Sequence, residues 1–131
     1  MAFKADHPFQ FSHAIYFSLA DRASTTVRAF TDACVKYLSG HHGQLGFIMG
    51  TRALDQHRDV NVTDFDISLH MLFDSAASYQ LYQSNGRHEE FITVTAGMSN
   101  ARRVFDSYLL SPAATSGSSL ETEKGEGYLD E

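Results

Sequence analysis

Between Phe11 and Leu19 the chain alternates: Phe11, His13, Ile15, Phe17 and Leu19 fall on one side, Ser12, Ala14, Tyr16 and Ser18 on the other. A period of two over this length predicts a strand with one strongly buried face. One histidine stands in its apolar row. The period then changes. Val27, Phe30, Cys34 and Leu38 recur at helical steps, Ser24 or Asp21 can cap the start, and Ser39-Gly40 ends the run, which predicts an amphipathic helix. Gln44 to Thr51 reads as a second strand, in which Gly46 and Gly50 mark a bulge or a close backbone approach. Residues 52–63 are polar and charged, as in a loop. Phe65 to Phe73 alternates most cleanly, with Phe65, Ile67, Leu69, Met71 and Phe73 opposite Asp66, Ser68, His70 and Leu72. Asp74 or Ser75 caps a helix through Tyr79, Leu81 and Tyr82, which Asn85-Gly86 breaks. A third helix is expected over about 87–98, with Phe91, Val94 and Met98 at helical spacing, and a last strand from Arg102 to Leu109.

The order β-α-β-β-α-α-β predicts an α+β protein: a ferredoxin-like plait whose four-stranded antiparallel sheet carries its helices on one face. The opposite face holds Tyr16, Leu72 and Phe105 among polar residues. Pairing face to face with a second copy would cover it, so a homodimer is expected.

The chain has 131 residues, 43% of them hydrophobic and 20% charged, which suits one globular domain over residues 9–110. From residue 111 serine, alanine and glycine accumulate and acids then dominate, so residues 111–131 are expected to form a flexible acidic tail. The formal charge is −6; beyond Leu120 five acids stand against Lys124, which accounts for −4 of it. A nearly neutral domain gives a polyanion nothing to bind, so no nucleic-acid partner is expected. No apolar run reaches membrane-spanning length, and no membrane partner is expected. The single cysteine, Cys34, excludes an internal disulfide and a thiolate zinc site; it reads as a small core hydrophobe in a reduced, cytoplasmic protein. His41-His42, after the helix-ending Gly40, lacks flanking ligands at useful spacing and reads as a surface loop. Neither a metal nor a cofactor is expected. His70 lies on the semi-polar sheet face, where protonation would put charge between two paired sheets.

The segments FSHAIYFSL, GFIMG, FDISLHMLFDSAASYQLYQ, RHEEFI and RVFDSYL, in this order and spacing, resemble the stress-responsive Dabb, or dimeric A/B barrel, family over about residues 9–110. The resemblance implies a homodimer in which two sheets close a barrel, and a small cavity between sheet and helices in each subunit. The family includes plant olivetolic acid cyclases, which close a linear polyketide thioester into an aromatic acid. By similarity, His88 looks like their base histidine and Tyr82 like the tyrosine that assists it. His13 matches the first-strand histidine and Asp106 an aspartate on the last strand. Where relatives often carry a histidine-proline pair, this chain has Asn85-Gly86 ahead of Arg87-His88. Asn-Gly favours a positive-φ turn, and Arg87 could then pair with Glu90 or with a substrate carboxylate.

Taken as chemistry, a neutral imidazole is a competent base near neutral pH, and a tyrosine or second histidine can donate to a developing oxyanion. A pocket lined by Ile15, Phe17, Phe30, Leu69 and Phe91 would suit a small hydrophobic carbonyl compound. Two readings follow. One is a cofactor-free acid–base enzyme, cyclase- or lyase-like, with a cavity that His13 and His88 share. The other is a non-catalytic stress-associated dimer or small-ligand-binding protein, with a filled interior and His13 bonded to Asp106. A third, a haem- or quinone-handling monooxygenase, shares the dimeric plait, but the chain has no haem-binding signature and no tryptophan.

Overall fold

The alternation in the first strand holds residue by residue: β1 (Phe11–Leu19) buries Phe11, His13, Ile15, Phe17 and Leu19 and leaves the intervening residues half-buried. The structure is a computed structural model describing residues 7–111. After β1 come α1 (Ser24–Leu38), β2 (Gln44–Thr51), β3 (Ile67–Phe73), α2 (Ala76–Ser84), α3 (Gly86–Val94) and β4 (Ser99–Tyr108). The sheet order is β2-β3-β1-β4 and every pair is antiparallel. This is the ferredoxin-like α+β plait. Of the acidic tail expected from residue 111, all but Ser111 lies outside the described residues.

All three helices send their apolar stripes to the same sheet face. Phe30, Ala33, Cys34 and Leu38 of α1, Tyr79 and Tyr82 of α2, and Phe91 of α3 form one core with the inward rows of β1 and β3. Removing each large side chain from water contributes about 1.5–3 kcal/mol. Cys34 is fully buried and its thiol is pushed up to about 12 by that burial, so it packs as a hydrophobe.

The helix starts use their polar residues in specific ways. For α1 the cap position is Ala23, not Ser24 or Asp21; even so the Asp21 carboxylate serves the first turn, accepting from the Ala23 N–H and the Thr26 hydroxyl at 2.9 Å each. Ser75 caps α2, its Oγ accepting from the Ser78 N–H at 3.0 Å. Asn85 is in extended backbone at φ −74°, so the positive-φ turn expected at Asn85-Gly86 does not form. Instead Asn85 caps α3 through Oδ1, which accepts from the Arg87 N–H at 2.8 Å. Arg87 does not reach Glu90 or the site. Its Nη2 donates to the carbonyls of Lys36 (2.5 Å) and Ser39 (2.9 Å), tying α3 to the otherwise unsatisfied end of α1.

Three elements differ in their bounds from those expected. Helix α3 stops at Val94, short of Met98, because the Thr95 hydroxyl donates back to the Phe91 carbonyl at 2.7 Å and Gly97 turns at φ +83°. Strand β4 therefore begins earlier, at Ser99, and ends at Tyr108. Strand β3 begins at Ile67, where regular pairing with β1 starts. In β2 the register shifts between Gln44 and Gly46, and a Cβ at Gly50 would lie 2.8 Å from Ser68 Oγ, so the strand has both the bulge and the close approach.

Candidate functional site

Antiparallel pairing of β1 with β4 sets His13 opposite Asp106, Ile15 opposite Val104 and Phe17 opposite Arg102, so all six start on the helix side of the sheet. Strand β4 is an edge and no helix fully covers it. A cavity of about 260 Å³ lies between this pair of strands and the helices. Its apolar wall is Ile15, Phe17, Leu38, Phe91, Ile92 and Val104; its polar wall is His13, Tyr79, Tyr82, Gln83, His88 and Arg102. Ile92 (48% exposed) and Val104 (45%) mark its mouth, between α3 and β4.

At the inner end His13 is 2% exposed, and its Nδ1 lies 2.5 Å from Asp106 Oδ1. A carboxylate only accepts, so the ring donates from Nδ1, and in the neutral tautomer Nε2 carries the lone pair. The Tyr79 hydroxyl donates to the other Asp106 oxygen at 3.0 Å and accepts from Gln83 Nε2 at 2.8 Å. Burial, then the adjacent Asp106 charge and this hydrogen bond, push the Tyr79 phenol up to about 12. Both Asp106 oxygens are thus engaged in holding His13 and Tyr79.

Tyr82 is the centre of the cluster. Its ring meets three imidazoles edge-on: His13 at 5.8 Å, His41 at 4.9 Å and His88 at 4.9 Å between centroids. The residue is 1% exposed, and its hydroxyl has no hydrogen-bond partner among the described residues. A buried hydroxyl without a partner costs about 1–3 kcal/mol. Burial, and then the neighbouring Tyr79 and Cys34, raise its pKa far above neutrality, so the group is a fixed O–H donor. Burial lowers the His88 pKa, as does the charge of His13, His41 and Arg102; Glu89 opposes them more weakly. His88 is therefore a neutral imidazole at neutral pH.

The structure brings His13, Tyr82, His88 and Asp106 together, with Ile15, Phe17 and Phe91 in the cavity wall. It does not bring Phe30 or Leu69 to that wall. Phe30 packs edge-on against Phe17 and Phe91, and Leu69 is fully buried on the central strand β3, so both support the wall from behind. His41 is not a surface residue. It is 8% exposed and its Nε2 lies 2.7 Å from the Tyr37 carbonyl at the end of α1, while His42 is exposed. Four polar residues of the site went unrecognised in the sequence, Tyr79, Gln83, Arg102 and His41, as did the apolar wall residues Leu38, Ile92 and Val104. Tyr79 lies three residues before Tyr82 and four before Gln83, and Arg102 shares the period-two face of Asp106, so both patterns pointed to them. Nothing in the sequence marks His41. Among the described residues no group of three or more His, Cys, Asp or Glu is placed to hold a metal ion, and no helix is long and apolar enough to cross a membrane.

No family model matches the sequence, and no curated protein matches it. Solved structures do. A Dabb family protein with a ferredoxin-like fold from Mesorhizobium loti is 21% identical, with 78% of this chain and 98% of that one covered at TM-score 0.64. A dimeric ferredoxin-like protein of unknown function from Thermobifida fusca is 15% identical, covering 83% and 96% at TM-score 0.62. A hydroxynitrile lyase from Passiflora edulis is 12% identical, covering 79% and 95% at TM-score 0.63. The chain has the fold of these proteins.

Proposed function

We propose that this chain is a Dabb-type protein whose residues 9–110 act as a face-to-face homodimer, and that each subunit performs cofactor-free acid–base chemistry, cyclase- or lyase-like, on a small hydrophobic carbonyl compound. One observation carries this reading: a cavity walled by His13, His88 and Tyr82, whose buried hydroxyl has no hydrogen-bond partner among the described residues. A satisfied hydrophobic core would have no such orphan. The volume, about 260 Å³, sits just below the usual range of about 300–1,000 Å³ for small-molecule pockets, which favours a small substrate.

In this reading His88 takes a proton from the carbon beside the substrate carbonyl, becoming imidazolium. The electron pair moves onto the carbonyl oxygen, and the Tyr82 O–H donates to that oxyanion. The new carbon nucleophile then attacks a second carbonyl, whose oxygen takes the proton back from His88. In the lyase direction His88 instead takes the proton of a β-hydroxyl, the C–C bond breaks to give one carbonyl and the enolate of the other, and His88 returns the proton to the enolate carbon. His13, oriented by Asp106, presents Nε2 as the second proton site. The fold shared with a hydroxynitrile lyase supports proton-transfer chemistry in such a frame.

The His13–Asp106 hydrogen bond favours a second reading, a dimer that binds a hydrophobic ligand without turning it over, since a histidine hydrogen-bonded to a carboxylate also serves structure alone. One experiment separates the two. Acetophenone methyl protons are followed by NMR in deuterated buffer. The enzyme reading expects wild type to accelerate their exchange and His88→Ala to lose about a hundredfold of that acceleration while the fold persists. Saturable binding without accelerated exchange would favour the ligand-binding reading. Neither binding nor exchange would sink both.

A further inference from the structure

We infer that Arg102 is the anchor for an anionic group, so that the cavity takes amphipathic carboxylates: an acid at the mouth and an apolar, carbonyl-bearing body within. This rests on the cavity being the working site. Arg102 is the one permanently charged residue in the cavity wall among the described residues. The wall contains no Asp or Glu, and the nearby Asp106 has both oxygens committed to His13 and Tyr79. The other arginines nearby are engaged. Arg103 pairs with Asp64 at 2.6 Å and Arg22 with Asp66 at 2.7 Å, while Arg87 is bound to the carbonyls ending α1. Arg102 has no carboxylate partner among the described residues. A planar fork of donors left at the mouth of an apolar cavity is suited to bidentate capture of a carboxylate.

The register fixes the spacing. Arg102 pairs with Phe17 and Asp106 with His13, four residues away along each strand, or about 13 Å at roughly 3.3 Å per residue. Ile15 and Val104 fill the interval. A ligand whose carboxylate meets Arg102 therefore lays an apolar segment over Ile15 and Val104, and its far end reaches His13, Tyr82 and His88. The charge of Arg102 also disfavours imidazolium at His88; a bound carboxylate would offset that charge and make His88 the better proton acceptor. The anion thus both positions the substrate and favours the step.

The test compares hexanoate with methyl hexanoate, two probes of nearly equal shape that differ in charge, by NMR titration of wild type and Arg102→Met. Arg102 is exposed and makes no charged contact among the described residues, so the variant should fold, and its melting temperature checks this. Wild type is expected to bind hexanoate tighter than the ester, and Arg102→Met to weaken hexanoate about tenfold or more while leaving the ester unchanged. Added salt should weaken hexanoate alone. Equal affinity for both probes in wild type, or an equal loss of both in the variant, would overturn the anchor and leave the cavity reading standing. Failure of both probes to bind would overturn the anchor and count against the cavity as a site.

Discussion

Tyr82 concentrates the site's conflict between stability and chemistry in one atom. Its ring is among the best-packed in the core, yet its hydroxyl is buried without a partner among the described residues. Tyr82→Phe keeps the ring and removes the orphan, so urea unfolding should show about 1 kcal/mol more stability, together with slower acetophenone exchange. A loss of stability would mean that the hydroxyl is satisfied and the site less prepared than described. His88 gives the complementary test in pH. Its folded pKa is lowered below the ordinary value of about 6.5. The unfolded chain therefore takes up this proton first as pH falls, and folding loses stability from about that pH downward. Between about pH 7 and pH 5 wild type should lose more stability than His88→Gln. Parallel curves would show that His88 titrates like a free histidine.

At the scale of elements, the alternation of β1 was fully readable because burial of one face imposes a strict period, and β1 and β2 run where the pattern places them, whereas β3 and β4 begin at Ile67 and Ser99. The helix ends were less readable, because they depend on which polar group reaches which backbone atom. Asn85 could turn or cap, and it caps. Arg87 could reach solvent, substrate or α1, and the packing of α3 against the end of α1 decided for α1. The same limit governs the site. His13 and Asp106 were visible as same-face residues on two strands, whereas His41 entered the cluster only through the path of the chain after α1. That path depends on Gly43, at φ +74°, where a Cβ would lie 2.1 Å from Ser78 Oγ and 2.7 Å from Asp74 Oδ1. Gly40 has the same φ with open space around it. Gly40→Ala should cost about 1 kcal/mol of backbone strain. Gly43→Ala should cost about 2 kcal/mol more through the clash, measured in the same urea series. Equal losses would show that α2 and the loop before β2 yield easily.

The whole molecule presents two sheet faces with different demands. The helix face is covered except along β4, where the cavity opens. On the other face Ile48 (63% exposed) and Phe105 (54%) lie open, and Tyr16 gathers Phe65, His70 and Phe105 within 4.9–5.9 Å between ring centroids. A groove lined by Ala14, Tyr16, Val62, Phe65, Arg103 and Phe105 runs beside this cluster. A second copy of the same face would cover it, as the homodimer proposal requires, and adjacent residues of β4 then separate the two roles. Phe105 points to the open face and Val104 to the cavity. Under two-fold symmetry a substitution in the interface acts twice. Phe105→Asp, at about 2 kcal/mol per copy, should therefore raise the dimer dissociation constant about a thousandfold, seen as a monomer by light scattering. Val104→Thr, one residue away, should leave the dimer intact and change only cavity binding. A Phe105→Asp protein that remains dimeric would show that the open face meets something other than its copy, and that any dimer forms elsewhere.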